Sequence, residues 1–117
     1  GVRLFIEGAV GPGEWDSLPE RARRALLPNA PEMAAATRTA IEVQMPDITC
    51  NDARGIRTPT LLLYGANSPP KYRLINDELA RCLPNAERAV VPGAAHVLHN
   101  HNPEWHNRIV LEFLGRH

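Results

Sequence analysis

The run Thr60-Leu61-Leu62-Leu63-Tyr64, held between Pro59 and Gly65, constrains the fold more than any other stretch of the chain. A continuous apolar run of this length has no polar face to turn to water. It fits a strand buried on both faces of a parallel sheet. Parallel strands need a crossover, usually a helix. The chain supplies one from about Lys71 to Leu83, with Ile75, Leu79, Cys82 and Leu83 on one helical stripe. A second strand is expected over Glu87–Val91, ending at Pro92-Gly93. A last helix follows, with Asn102 as its cap and Pro103 in its first turn. Trp105, Ile109, Val110, Phe113 and Leu114 form its apolar face, and Gly115 is expected to end it.

The first 55 residues have a different texture. Arg3–Val10 reads as the tail of a helix, broken by Gly11-Pro12-Gly13. Pro19–Leu27 and Pro31–Met45 read as two more, each opening on a proline whose missing N–H costs nothing there, and Pro46 closes the second. The expected organisation is a helical segment over 1–55 and an α/β segment over 56–117. Two strands make a thin sheet with two open edges, so something must cover them.

Composition narrows the functional classes. Thirteen basic residues balance thirteen acidic ones, so no overall field draws the chain to nucleic acid or anionic lipid. The apolar run at Leu61 is far too short to span a bilayer. Phosphate loops, dinucleotide fingerprints and basic stripes are all absent, which argues against nucleotide chemistry. Cys50 and Cys82 lie far apart without CxxC spacing. No disulfide framework is indicated, and a reducing, cytoplasmic setting is expected. The first ten residues lack the basic-then-apolar order of an export signal.

Chemistry concentrates in Pro92-Gly93-Ala94-Ala95-His96-Val97-Leu98-His99-Asn100-His101-Asn102-Pro103. Here a strand ends, a glycine turn follows, and His96 stands on the loop ahead of a capped helix. Reactive groups of open α/β sheets collect at the carboxyl ends of strands. Histidine there can act as a general base, because its ordinary pKa lies near neutrality. A loop histidine can equally do no more than bond a nearby carbonyl. The four histidines His96, His99, His101 and His106 also raise a metal reading, since imidazole suits zinc, nickel or copper. No nearby cysteine or spaced carboxylate completes such a set, and Asn100, Asn102 and Pro103 read better as turn and cap residues. No metal and no cofactor are therefore expected.

Gly93-Ala94-Ala95-His96, followed by Val97-Leu98-His99 and Asn102-Pro103, resembles the catalytic-histidine loop of the α/β-hydrolases. Ile56 to Gly65 is similar to the penultimate strand of that fold, Leu79 to Ala86 to the helix end and turn before its last strand, and Ile109 to Leu114 to its terminal helix. The resemblance runs over about residues 56–115. It implies the C-terminal part of an α/β-hydrolase sheet: two parallel strands with crossover and terminal helices, preceded by a helical cap segment. Residues 1–55 resemble that cap, through their helical texture and Gly11-Pro12-Gly13-Glu14-Trp15 followed by Leu18-Pro19-Glu20. Caps wall the substrate pocket, so Trp15, Leu18, Met33 and Met45 are candidate lining residues, with ordinary helix packing as the alternative. The resemblance makes His96 the catalytic base and His99 its structural neighbour.

Two parts of the family pattern are missing. The nucleophile elbow G-x-S-x-G does not occur: Ser17 and Ser68 lack flanking glycines and the preceding strand, and Cys82 reads as core. The loop position that carries the acid in the family holds Ser68, which cannot stabilise an imidazolium as a carboxylate would. Some members draw the acid from an earlier strand, upstream of residue 1. Asp77 and Glu78 lie inside the crossover helix and read as its solvated face. The expected function is to supply the base and cap for hydrolysis of an ester-like small substrate, completed by a missing N-terminal half. The alternatives are a homo-oligomeric or partner-binding remnant and a His-rich metal module. No nucleic-acid or membrane partner is expected.

Overall fold

A computed structural model describes residues 1–42 and 48–117. The chain divides into two compact units, Gly1–Asp47 and Ile48–His117. None of the helices among the described residues is long and apolar enough to cross a membrane.

The first unit is helical: α1 (Val2–Ala9), α2 (Glu14–Ser17), α3 (Glu20–Leu26), a 3-10 turn (Leu27–Asn29) and α4 (Ala30–Glu42). Gly13 starts α2 with φ +79°, a left-handed conformation that glycine adopts freely. Arg3 ties α1 to α2, bonding Glu7 at 3.1 Å on its own helix and Asp16 at 2.7 Å on the next. Val2 and Val10 are buried. Trp15, Leu18 and Met33 are each half-buried within this unit. Met45 and Pro46, and with them the expected end of the helix, lie outside the described residues.

The second unit carries the sheet: α5 (Cys50–Arg54), β1 (Thr60–Gly65), α6 (Pro70–Cys82), β2 (Ala86–Val91), α7 (Leu98–His101) and α8 (Pro103–Arg116). The strands pair in parallel, from Thr60 opposite Ala86 to Gly65 opposite Val91, with α6 as the crossover. Pro70 and Pro103 occupy first turns, as their fixed φ and absent N–H favour. Asn102 caps α8, its side-chain oxygen accepting the Trp105 N–H at 3.3 Å. The sheet reading holds at the level of a mixed α/β unit with one parallel strand pair.

Of four local departures from expectation, the first is an added element: α5 lies within the stretch read as helical but was not singled out there. Thr49 and Asp52 form a reciprocal capping box around its first turn, and the bonds from Thr49 hold the Asp52 carboxyl below its ordinary range. Gly115 does not end the last helix, which runs on to Arg116. Ile75 remains 53% exposed while Leu79, Cys82 and Leu83 turn inward. The fourth concerns the cysteines. Cys50 and Cys82 form a disulfide, contrary to the reading from their spacing. Sequence separation says nothing of spatial approach, and packing of α5 on α6 brings the two Cα atoms to 5.1 Å.

The core beneath this bond is small. Ala53, Cys82 and Leu83 are buried together, with Cys50, Leu62, Leu79 and Ala86 packed against them. Leu61 to Tyr64 are only half-buried, and Val90 is 41% exposed. A two-stranded sheet cannot cover both of its faces, so the burial that the apolar run implied is incomplete among the described residues.

Candidate functional site

The loops at the carboxyl ends of β1 and β2 are laced together by main-chain bonds. The Ala66 N–H donates to the Val91 carbonyl at 3.0 Å, and the Asn67 N–H to the Ala94 carbonyl at 2.9 Å. This approach demands a glycine at the end of β1. A Cβ on Gly65 would stand 2.2 Å from the Ala94 carbonyl oxygen and 2.4 Å from that of Ala95. Gly93 meets a second demand with φ +69°, which turns the chain out of β2. Val91, Ala94 and Ala95 are buried, so the backbone leading into His96 is fixed on both sides.

His96 follows at the surface of this platform. Its ring stacks on Tyr72 of α6, with centroids 3.9 Å apart and planes 12° from parallel. The residue as a whole is exposed, yet the covered ring face loses hydration. That desolvation, joined by the positive charge of Lys71, holds the His96 pKa below its ordinary value. Burial correspondingly raises the Tyr72 phenol, which stays protonated. At neutral pH His96 is therefore the neutral imidazole that a general base requires.

The neighbouring histidines have other work. The Nδ1 atom of His101 accepts the Ala95 N–H at 2.9 Å, pinning the residue before His96. Asn102 donates through Nδ2 to the Pro92 carbonyl at 3.0 Å while capping α8, so one side chain ties the end of β2 to the last helix. His99 and His106 meet edge to face at 6.1 Å. His106 contacts Asn107, 3.2 Å away. Among the described residues the four histidines form no metal-ligand group. The structural part played by His101 was not foreseen; its position six residues after Ala95 carries no signal that could have revealed it.

Ser68, at the acid position, is half-buried and closes its own turn. Its Oγ accepts the Gly65 N–H at 3.2 Å, and its N–H donates to the Gly65 carbonyl at 3.0 Å. No carboxylate bonds the His96 ring among the described residues. Asp77 pairs with Arg88 and Arg73, and Glu78 with Arg81, which agrees with their reading as a solvated helix face. Beside Ser68 lies an open depression of about 360 Å³ lined by Tyr64, Gly65, Ala66, Ser68, Pro70, Arg73 and Leu74. His96 does not line it.

No protein-family model, curated protein or solved structure matches this chain.

Proposed function

We propose that the chain supplies the catalytic base of an α/β-hydrolase-like protein, His96, which acts on an ester-like small molecule once a nucleophile-bearing sheet completes the site. The observation that carries this reading is the state of His96: neutral, held against Tyr72, and mounted on a rigid loop at the carboxyl end of a parallel strand. The imidazole would take the proton from a nucleophilic hydroxyl as that oxygen attacks the ester carbonyl, then return it to the leaving group. Lys71 disfavours the imidazolium formed in between, and Ser68 offers no negative charge to offset it. The acid must therefore arrive with the completing sheet. The helical first unit resembles the family's cap in its texture, and its Trp15, Leu18 and Met33 are half-buried. Mixing the chain with a polypeptide that carries the upstream sheet and a G-x-S-x-G elbow should give ester hydrolysis above that of either part alone. Hydrolysis no greater than the sum of the parts would overturn the reading.

A second reading, a partner-binding or self-associating module, is favoured by the sheet itself. Among the described residues β1 and β2 pair only with each other, leaving both outer edges open. Ile56, Leu74, Ile75, Val90, Leu111 and Leu114 in the same unit are exposed. Open strand edges beside apolar surface are the usual substrate of strand addition. The two readings are compatible, since the completing sheet is itself such a partner.

A further inference from the structure

Outside the histidine loop, one cluster brings metal-ligating atoms together. Cys82 and Glu78 stand one turn apart on the same face of α6, and the Cys82 sulfur lies 3.7 Å from Glu78 Oε1. Cys50 opens α5, which packs on α6. One ligand atom from each of Cys50, Glu78 and Cys82 falls within 4.8 Å of the others. We propose that, when the Cys50–Cys82 bond is reduced, the two sulfurs and the Glu78 carboxylate bind a thiophilic divalent cation of the zinc type.

Several features support the assignment. Two thiolates and one carboxylate are a donor set that zinc accepts, with a fourth tetrahedral position left for water. The sulfurs must separate to about 3.8 Å, since each zinc–sulfur bond is about 2.3 Å long. With the Cα atoms 5.1 Å apart, side-chain rotation reaches that span while the backbone stays in place. The helices do not depend on the disulfide alone to stay together, because Ala53 and Leu83 share a packed cluster with Leu62, Leu79 and Ala86. Glu78 is ready as a ligand. Arg81 grips both of its oxygens, Nε to Oε2 at 3.0 Å and Nη2 to Oε1 at 2.5 Å, which holds the carboxylate beside the sulfurs; the cation displaces Nη2 from Oε1 and leaves the Oε2 bond as the outer partner. Cys82 is buried, Cys50 half-buried and Glu78 exposed, so the cation enters from the Glu78 side.

The redox step balances. A dithiol gives two electrons and two protons to the disulfide, yielding two protein thiols and its own disulfide. Binding the cation then releases both thiol protons to solvent. In a reducing compartment the site is open, and in an oxidising one the same atoms form a covalent tie.

The test uses the full chain, reduced with a phosphine and titrated with cobalt(II) alone under inert gas. The reduced chain should develop a saturable thiolate-to-cobalt charge-transfer band at one cobalt per chain, and the oxidised chain none. Cys50→Ser and Cys82→Ser should each lose the band, and Glu78→Gln should shift saturation to higher cobalt. Alkylating the folded reduced chain provides the same control should either serine variant fail to fold. The paired variant His99→Gln, His106→Gln should titrate like the parent. A reduced chain without the band, a band that survives alkylation, or binding lost with the histidines would overturn the proposal. Glu78→Gln titrating like the parent would overturn its three-ligand form. None of these outcomes depends on the role of His96.

Discussion

The physics of the candidate site comes down to two residues that tolerate little change. Gly65 has no room for a methyl group, because the atoms it would meet are the main-chain oxygens of Ala94 and Ala95. Gly65→Ala should therefore cost about 3 kcal/mol or more in urea denaturation, at the upper end for overpacking. Gly115→Ala, in open space on α8, should instead stabilise by up to about 1 kcal/mol. Equal midpoints for the two variants would refute the packing argument. His96 carries the second constraint. Its folded pKa is depressed, so on acidification the unfolded chain takes up this proton first. Its contribution to stability is present above the ordinary imidazole value of about 6.5 and is lost as pH falls through the lower, folded one. Thermal unfolding should show a smaller loss of stability in this acid window for His96→Gln than for the parent. By NMR, the His96 ring should titrate below about 6.5, and Tyr72→Ala should move it upward. A midpoint above that value in the parent would contradict the desolvation argument.

Among elements, those with strong local signals were legible in the sequence and those set by tertiary approach were not. The strand at Thr60, the crossover helix and the last strand follow from apolar pattern and proline punctuation, and each lies within a residue or two of its expected bounds. Asn102 was readable as a cap because Pro103 stands behind it in the first turn. Its second bond, to Pro92, was not, since a contact across ten residues depends on how the loop folds back. Gly115 misled because helix termination by glycine requires a left-handed residue, and no such φ occurs there. The disulfide was hidden for the same reason as the Pro92 bond: only the packing of α5 on α6 creates it. Asn102→Ala should lower stability by about 1–2 kcal/mol, removing the cap and the tie to β2 together. Asn102→Ser, which restores a cap but cannot reach Pro92 as an amide donor, should recover only part of that loss in thermal unfolding. Full recovery would show that the Pro92 bond contributes nothing.

For the molecule as a whole, the open edges and half-buried strands leave the sheet of the second unit unfinished among the described residues. The apolar run at Leu61 was the clearest sign in the sequence, and it correctly indicated a strand. The burial it implied is incomplete among the described residues. We expect the chain alone to associate with itself through β1, giving dimers or larger species in sedimentation. A monodisperse monomer would argue against self-association. Substrate was not legible in the sequence, and His96 does not line the depression near Ser68.

The proposed role of His96 as general base is open to a hydrolysis assay in a complemented chain. With the chain joined to a sheet bearing the G-x-S-x-G elbow, kcat/KM for an activated ester should be measured for the parent, His96→Ala and His99→Ala. His96→Ala should lose about 100- to 10,000-fold, with His99→Ala close to the parent. Equal rates for His96→Ala and the parent would contradict that role.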